Sequence, residues 1–128
     1  MSIQTTAMKN ALATAYGAAG NATHAALYTT VPGATAGTEV TGGSPAYARK
    51  SITWTAPNTV GPLGASQPAL PGVMYGQVVF DVPAGVTVAG AGVHTALTAG
   101  TYLDGGAVAS QPFATQGQYT LNLSYTQS

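Results

Sequence analysis

Residues 118–126 read QYTLNLSYT, and this run alternates strictly between apolar or aromatic and polar side chains. Successive side chains of a β-strand point to opposite faces of the sheet, so a period of two indicates a strand with one buried and one solvated face. Such a face needs a second layer of structure to cover it. The run therefore predicts a mainly β protein whose core includes Tyr119, Leu121, Leu123 and Tyr125.

Shorter runs with strand character precede this one, and clusters of glycine and proline that are typical of turns separate them. The predicted strands are His24 to Val31, Tyr47 to Ala56, Val73 to Val82, Val86 to Leu97 and Thr101 to Ala109. A tight turn or bulge is expected to break the last of these at Asp104-Gly105-Gly106. The pattern favours an antiparallel β-sandwich, immunoglobulin-like or jelly-roll-like, over residues 24–127.

Two other segments depart from the strand pattern. Residues 6–19 carry apolar side chains at helical spacing after the candidate N-caps Thr5 and Thr6, which predicts one amphipathic α-helix. Residues 57–72 contain four of the eight prolines, and proline cannot donate a ladder hydrogen bond, so this segment is expected to be a long loop. Loops of this length are commonly contact surfaces. We expect residues 1–128 to form one domain.

The composition restricts the kinds of partner. Charged residues make up 5% of the 128-residue chain and the formal net charge is zero, against about 25% charged residues in typical proteins. Attraction to nucleic acid or to an anionic membrane is therefore not expected. Because a neutral surface repels its neighbours weakly, it is best suited to an assembly that covers it. With no apolar run near about 18 residues and no secretory signal pattern, we expect synthesis in a cytoplasm.

The sequence offers little for catalysis. It contains no cysteine, and its two histidines, His24 and His94, lack the spacing of a metal site. Asp81 and Asp104 could in principle form a carboxylate pair that hydrolyses a glycan. A polar strand face and a turn are the simpler explanations of these two aspartates. We expect no enzyme activity, no catalytic residue, no metal and no cofactor, and a small hydrolase is the least favoured alternative.

Aromatic and basic residues supply the candidate interface. The seven tyrosines could line a protein-contact or sugar-binding surface, because the ring is apolar and the hydroxyl tolerates water, or they could be core residues. Arg49-Lys50 is the single basic pair and is too small for a phosphate-binding patch. The predicted interface residues, which include two leucines of the proline-rich loop, are Tyr16, Tyr47, Arg49, Lys50, Leu63, Leu70 and Tyr75.

Four segments carry a resemblance to a known family. The stretch from Glu39 to Trp54, with GGSPAYARK at residues 42–50, resembles small virion proteins of actinobacterial phages that are described as tail fibre, minor tail or head decoration proteins. Residues 79–88, 100–106 and 113–121 are similar to later landmarks of the same family. The loop at residues 57–72 departs from the family pattern by its greater length.

The resemblance implies a non-catalytic, β-rich component of a phage particle, with other virion proteins as partners. The absence of a coiled-coil shaft favours a capsid decoration protein that forms a homo-oligomer, with a trimer as one arrangement. The alternative is a tail fibre, minor tail or baseplate appendage that adheres to a host-surface glycan. In both hypotheses the contacts are expected to be apolar and through backbone hydrogen bonds.

Overall fold

The computed structural model describes residues Ser2 to Gln127. One helix precedes six strands, and a short 3-10 helix, Gly64–Ser66, lies in the loop between the second and third strands. The bounds are α1 Thr6–Tyr16, β1 His24–Tyr28, β2 Lys50–Ser51, β3 Val73–Val82, β4 Val86–His94, β5 Tyr102–Phe113 and β6 Gly117–Thr126. None of the helices in this part of the chain has the length and apolar character needed to cross a membrane.

The strands form two antiparallel sheets that pack face to face. The larger sheet has the order β2-β1-β4-β5, and the smaller one consists of β3 and β6. Leu27 and Val88 of the larger sheet are fully buried and share one core with Phe80 and Val82 of the smaller sheet. This arrangement confirms the predicted antiparallel β-sandwich with one amino-terminal helix.

The smaller sheet follows the sequence pattern closely. β3 has the predicted bounds, and it pairs with β6 without interruption from Val73 opposite Thr126 to Val82 opposite Gly117. In β6, Leu121 is buried while its neighbours Thr120 and Asn122 are exposed. The period of two therefore reports burial correctly in β6 and from Gln77 to Val82 of β3, where one face covers the core and the other faces solvent. Val73 to Gly76 of β3 are buried on both faces.

The helix is shorter than predicted. Its N-cap is Thr5, whose side chain accepts a hydrogen bond from the backbone N–H of Met8 at 3.2 Å. It ends at Tyr16 rather than at residue 19, because the following turn takes up its last carbonyl groups. The side chain of Asn21 donates to the oxygen of Ala15 at 2.7 Å, and the N–H of Ala22 donates to the oxygen of Tyr16 at 2.9 Å.

The strand predicted from Tyr47 to Ala56 is reduced to Lys50–Ser51. The residues on either side make other contacts instead of a ladder. Tyr47 donates to Glu39, and the indole N–H of Trp54 donates to the backbone oxygen of Ala22 at 2.8 Å. The alternation agrees with burial only from Ser51 to Trp54, since Ala48 is exposed and Arg49 is half-buried, and it does not indicate strand pairing beyond Lys50–Ser51.

No tight turn forms at Asp104-Gly105-Gly106, but the ladder is irregular directly beside it, because Val93 pairs with Asp104 and His94 with Tyr102, which leaves out Leu103. β5 runs through these residues, and none of the three has a positive φ. The irregularities of the β4–β5 pairing lie on either side of it, with register shifts between Val88 and Gly90 and between Val93 and His94. Pairing with β4 therefore overrides the preference of these residues for a turn.

Candidate functional site

The segment after β2 closes one side of the sandwich. The N–H of Thr55 donates to the oxygen of Tyr75 at 2.8 Å, and the N–H of Tyr75 donates to the Thr55 hydroxyl at 3.0 Å. Further along, the N–H of Asn58 donates to the oxygen of Val73 at 3.2 Å. This side, where residues 52–58 run along β3, is called the closed side below. The free backbone groups at the start of β3 are satisfied there by the chain itself.

The opposite side of the sandwich is open. In the part of the chain that the structure describes, β5 has a strand neighbour only at β4, and β6 has one only at β3. A groove of about 250 Å³ lies between these two edge strands. We call it the β5–β6 groove, and it is lined along its two walls by residues 104–108 of β5 and residues 121–124 of β6, with Tyr16, Trp54 and residues 91–93 completing it.

Aromatic rings close one end of this groove. Tyr16, the last residue of α1, stacks on Tyr125 of β6 with ring centroids 3.8 Å apart, and the edge of Trp54 meets its ring at 5.9 Å. Burial raises the pKa of Tyr16 to about 12, with a smaller contribution from the Asp104 carboxylate. The phenol therefore stays uncharged throughout the physiological range, which keeps this end of the groove neutral.

An apolar surface extends the groove toward the helix. A second depression on the far side of Tyr16 is lined by Leu12, Ala15, Leu103 and Tyr125. Leu12 is 39% exposed and Leu103 is 42% exposed, which is high for large apolar side chains. Exposed apolar surface that is continuous over several residues is typical of an interaction site.

The most highly charged cluster of the molecule has a structural role. Arg49 pairs with both carboxylate oxygens of Glu39, from Nε at 3.0 Å and from an Nη at 2.9 Å. Its other Nη donates to the oxygens of Ala96 and Ala99, so it ties the β4–β5 turn to the segment before β2. Burial alone raises the pKa of Glu39, but hydrogen bonds from Arg49 and Tyr47 outweigh this effect and hold the pKa below its usual value.

A second polar cluster is buried on the outer face of the larger sheet. His94 is 4% exposed, its Nε2 is hydrogen-bonded to the Tyr28 hydroxyl, and Tyr102 packs against both rings. Its Nδ1 has no hydrogen-bond partner among the described residues. Desolvation, and secondarily the positive charge of Arg49, lowers the pKa of His94. The imidazole is therefore held neutral inside the fold.

The chemistry-bearing residues do not meet at one site. The β1–β4 register sets His24 opposite His94, yet no cluster of three histidine, aspartate or glutamate side chains among residues 2–127 is arranged to hold a metal. Asp81 is opposite Gln118 at one end of β6, whereas Asp104 lies near Tyr16 at the other end. At about 3.3 Å per residue these ends are roughly 20 Å apart, beyond the about 5–10 Å of paired glycosidase carboxylates.

The seven predicted interface residues occupy different environments. Leu63 and Leu70 are 48% and 47% exposed on the proline-rich loop and remain available to a partner. Lys50 is half-buried on β2, and Tyr16 borders the β5–β6 groove. Three others hold the fold together, because their polar groups are bonded internally: Tyr47 with Glu39 and Leu27, Arg49 with Glu39, and Tyr75, which is 5% exposed, with Pro68.

Sequence reasoning missed the groove itself. The glycine pair at residues 105 and 106 predicts a tight turn or bulge, although glycine inside a strand is also typical of a close backbone approach. The sequence also predicts Arg49 as an interface residue, whereas the structure pairs it with Glu39. Glu39 lies ten residues before Arg49, and in a chain with three acidic and three basic residues their pairing was a signal that could have been used.

Comparison with known proteins gives one finding. The family model described as podophage GP4 fiber I protein gp80 matches residues 3–124, which is nearly the whole chain. No curated protein and no solved structure matches. The match includes the helix, both sheets and the two walls of the β5–β6 groove.

Proposed function

Because this chain belongs to the family of podophage GP4 fiber I protein gp80, and so is a structural protein of a phage virion, we propose that it is a non-enzymatic component of a virion fibre. It supplies shape and adhesive surface. Its partners are other virion proteins and further copies of itself, which it contacts through uncharged surfaces.

The family match over residues 3–124 is the observation that carries this proposal. Three features of the molecule support it. The net charge is zero, the open side presents two edge strands, and the exposed apolar side chains Leu12, Leu63, Leu70 and Leu103 are available for burial. Apolar burial and backbone hydrogen bonds form stable contacts without long-range electrostatic attraction.

Capsid decoration, the location that the sequence favoured, gains no support from the family match. The alternative location, a fibre, is supported by the family match. The sequence argument for the shell was the lack of a shaft, but a short fibre segment can be built from compact domains that pack against one another. We therefore propose a location in a fibre. No specific observation favours contact with a host glycan.

The number of copies per particle tests the location. Quantitative mass spectrometry of purified virions, with the major capsid protein as internal standard, should give a copy number that matches the fibres and falls far below the capsid protein. A copy number comparable to that of the capsid protein would place the chain on the shell and refute the fibre proposal. Absence from purified particles would refute any structural role in the virion.

The carboxylates provide a matched test of the non-enzymatic role. Asp81→Asn and Asp104→Asn each remove a carboxylate while nearly preserving shape. Particles carrying either variant should infect as efficiently as the wild type, since neither aspartate is proposed to transfer a proton. A loss of infectivity in both variants, with unchanged incorporation into particles, would indicate catalysis.

A further inference from the structure

The walls of the β5–β6 groove belong to two strands whose outer edges are unpaired. Residues 104–108 of β5 and 121–124 of β6 line it, and Ala91 to Val93 of β4 line it as well. Because β4 is paired on both sides, the groove extends over the sheet, whereas β5 and β6 each have one strand neighbour among the described residues. The unpaired edges of β5 and β6 therefore border the groove.

One glycine of the groove leaves room for another backbone. Gly92 and Gly105 are explained by packing within the chain, because an added Cβ would lie 2.9 Å from the oxygen of Asp104 or 2.7 Å from the oxygen of Ala91. Gly106 also lines the groove, and it has no positive φ that would require glycine. A Cβ added at Gly106 would meet no atom within 4 Å. Glycine inside a strand commonly marks the close approach of a ligand or of another chain. The groove volume of about 250 Å³ is below the range of about 300–1,000 Å³ that is usual for small-molecule sites.

The two edge strands differ in their protection against pairing. Natural edge strands are kept from pairing by lysine, proline, bulges, inward charges or short length. β6 has 10 residues and none of these devices. β5 has 12 residues, and its devices are Pro112, two register shifts in its pairing with β4, and the Asp104 carboxylate, which accepts a hydrogen bond from the N–H of Gly105 at 2.8 Å. The free edge of β6 and the stretch of β5 around Gly106 are thus suited to pairing with another strand.

The two edges are complementary to each other. Their lengths are similar, and an edge that carries no charge can pair with another that carries one carboxylate without repulsion between like charges. If a foreign strand covered β5, the edge of β6 would stay unpaired. If β5 of each copy instead pairs with β6 of the next, both edges of each internal copy are covered, in a ring where the rotation between copies closes and in an open filament where it does not.

We propose that the free edge of β5 pairs with the free edge of β6 in a second copy of this chain, so that the sheets continue from copy to copy. The inference rests on the proposed fibre role and names the surface through which copies assemble. Strand addition supplies backbone hydrogen bonds, and the adjoining surface at Leu12 and Leu103 is buried in the same contact.

Gly106→Val tests the proposal, because the added side chain fills the groove but meets no atom of its own copy. The wild-type chain should sediment and scatter light as a multiple of 12.6 kDa. The variant should associate at least about tenfold more weakly, which corresponds to about 1.4 kcal/mol. Gly33→Val is the matched control, since Gly33 is also in open space without a positive φ and lies outside the groove.

Ala107→Lys is a second variant for the case that Gly106→Val does not fold. Ala107 is exposed, so its lysine can reach water within one copy, yet it places a charge at the edge of β5. Ala65→Lys, at an exposed position of the 3-10 helix, is its control. A wild-type chain that stays monomeric, or edge variants that associate as well as their controls, would overturn the proposal. Neither result would affect the copy number on virions, which tests the fibre role separately.

The chain has no cysteine, so single cysteines can report which strands meet. Ala107→Cys and Ser124→Cys, both lining the groove, are prepared as separate proteins and mixed after dissociation. A short bis-maleimide should join unlike copies in the mixture more efficiently than like copies in either protein alone. Efficient crosslinking of Ala107→Cys to itself, with none in the mixture, would show a β5–β5 contact and overturn the stated pairing.

Discussion

The two sides of the sandwich differ in how the unpaired backbone groups of their edge strands are covered. On the closed side, residues 52–58 run beside β3 and exchange backbone and hydroxyl hydrogen bonds with Tyr75. On the open side, β5 and β6 end their sheets, and no strand among residues 2–127 pairs with their outer edges. A protein that folded only for its own stability would be expected to cover both sides, since exposed edges are liabilities. The difference indicates that the closed side serves folding and the open side serves assembly.

A cavity in the shared core should have the largest effect. Phe80 is fully buried between the sheets and stacks against Tyr47. Phe80→Ala should lower the free energy of unfolding by about 3–5 kcal/mol, because both apolar contact and packing are lost. Urea unfolding followed by tryptophan fluorescence measures this. A loss below about 1 kcal/mol would mean that the two sheets do not pack as described.

The closed side should respond to the loss of one hydrogen bond. Thr55→Val keeps the shape of the side chain but removes the hydroxyl that accepts from the N–H of Tyr75. Since Tyr75 is 5% exposed, its N–H would stay without that partner, and we expect a loss of about 1–2 kcal/mol in unfolding free energy. Association between copies should not change. Thr53→Val, at an exposed position, is the control.

Acid should weaken the fold through two groups that lie outside the β5–β6 groove, His94 and Glu39. The pKa of His94 in the folded chain lies below its ordinary value of 6.5, so between these values the unfolded chain binds more protons and stability falls as pH falls. Glu39 acts in the same direction below about pH 4.5, because its folded pKa is also lowered. His94→Gln should remove the first of these two declines in a pH series of urea unfolding experiments.

In that series, association between copies should not follow the decline caused by His94, since His94 is not among the residues that line the groove and Tyr16 there stays uncharged. If His94→Gln retained the same decline in stability just below pH 6.5, the buried imidazole would not be its cause.

The smallest effect on stability is expected on the open side. Leu103 is 42% exposed, so Leu103→Ala should change the unfolding free energy of one copy by less than about 0.5 kcal/mol. It should nevertheless weaken association, because the side chain lies beside the groove. The control is Leu97→Ala. Leu97 is 54% exposed and lines neither the β5–β6 groove nor the depression beside Tyr16. Equal association of the two variants would remove Leu103 from the contact.

The sequence predicted the elements whose burial is one-sided and continuous. The predicted bounds of β3 agree with the structure and those of β6 agree within one residue, because alternation matches the pleat along β6 and from Gln77 to Val82 of β3. It failed where tertiary contacts compete with local pattern. The hydrogen bonds of Tyr47 and Trp54 shorten β2, and pairing with β4 holds Gly105 and Gly106 in a strand.

The candidate site was less predictable for a related reason. A single side chain such as Leu70 can be assigned to a loop surface from composition, and it is exposed. The β5–β6 groove depends on which strands have no neighbour, and strand order is set by contacts far apart in sequence. The local sequence around Tyr75 and Arg49 likewise does not identify their partners. Tyr75 bonds to Pro68 and Arg49 to Glu39 only once the chain is folded.

Imaging of intact virions at side-chain resolution tests the central claim most directly. The account predicts density for this chain within a fibre, with the edge of β5 hydrogen-bonded to β6 of a neighbouring copy and Gly106 covered by that copy. Copies seated on the capsid shell, or copies in a fibre whose β5 and β6 edges both face solvent, would contradict it.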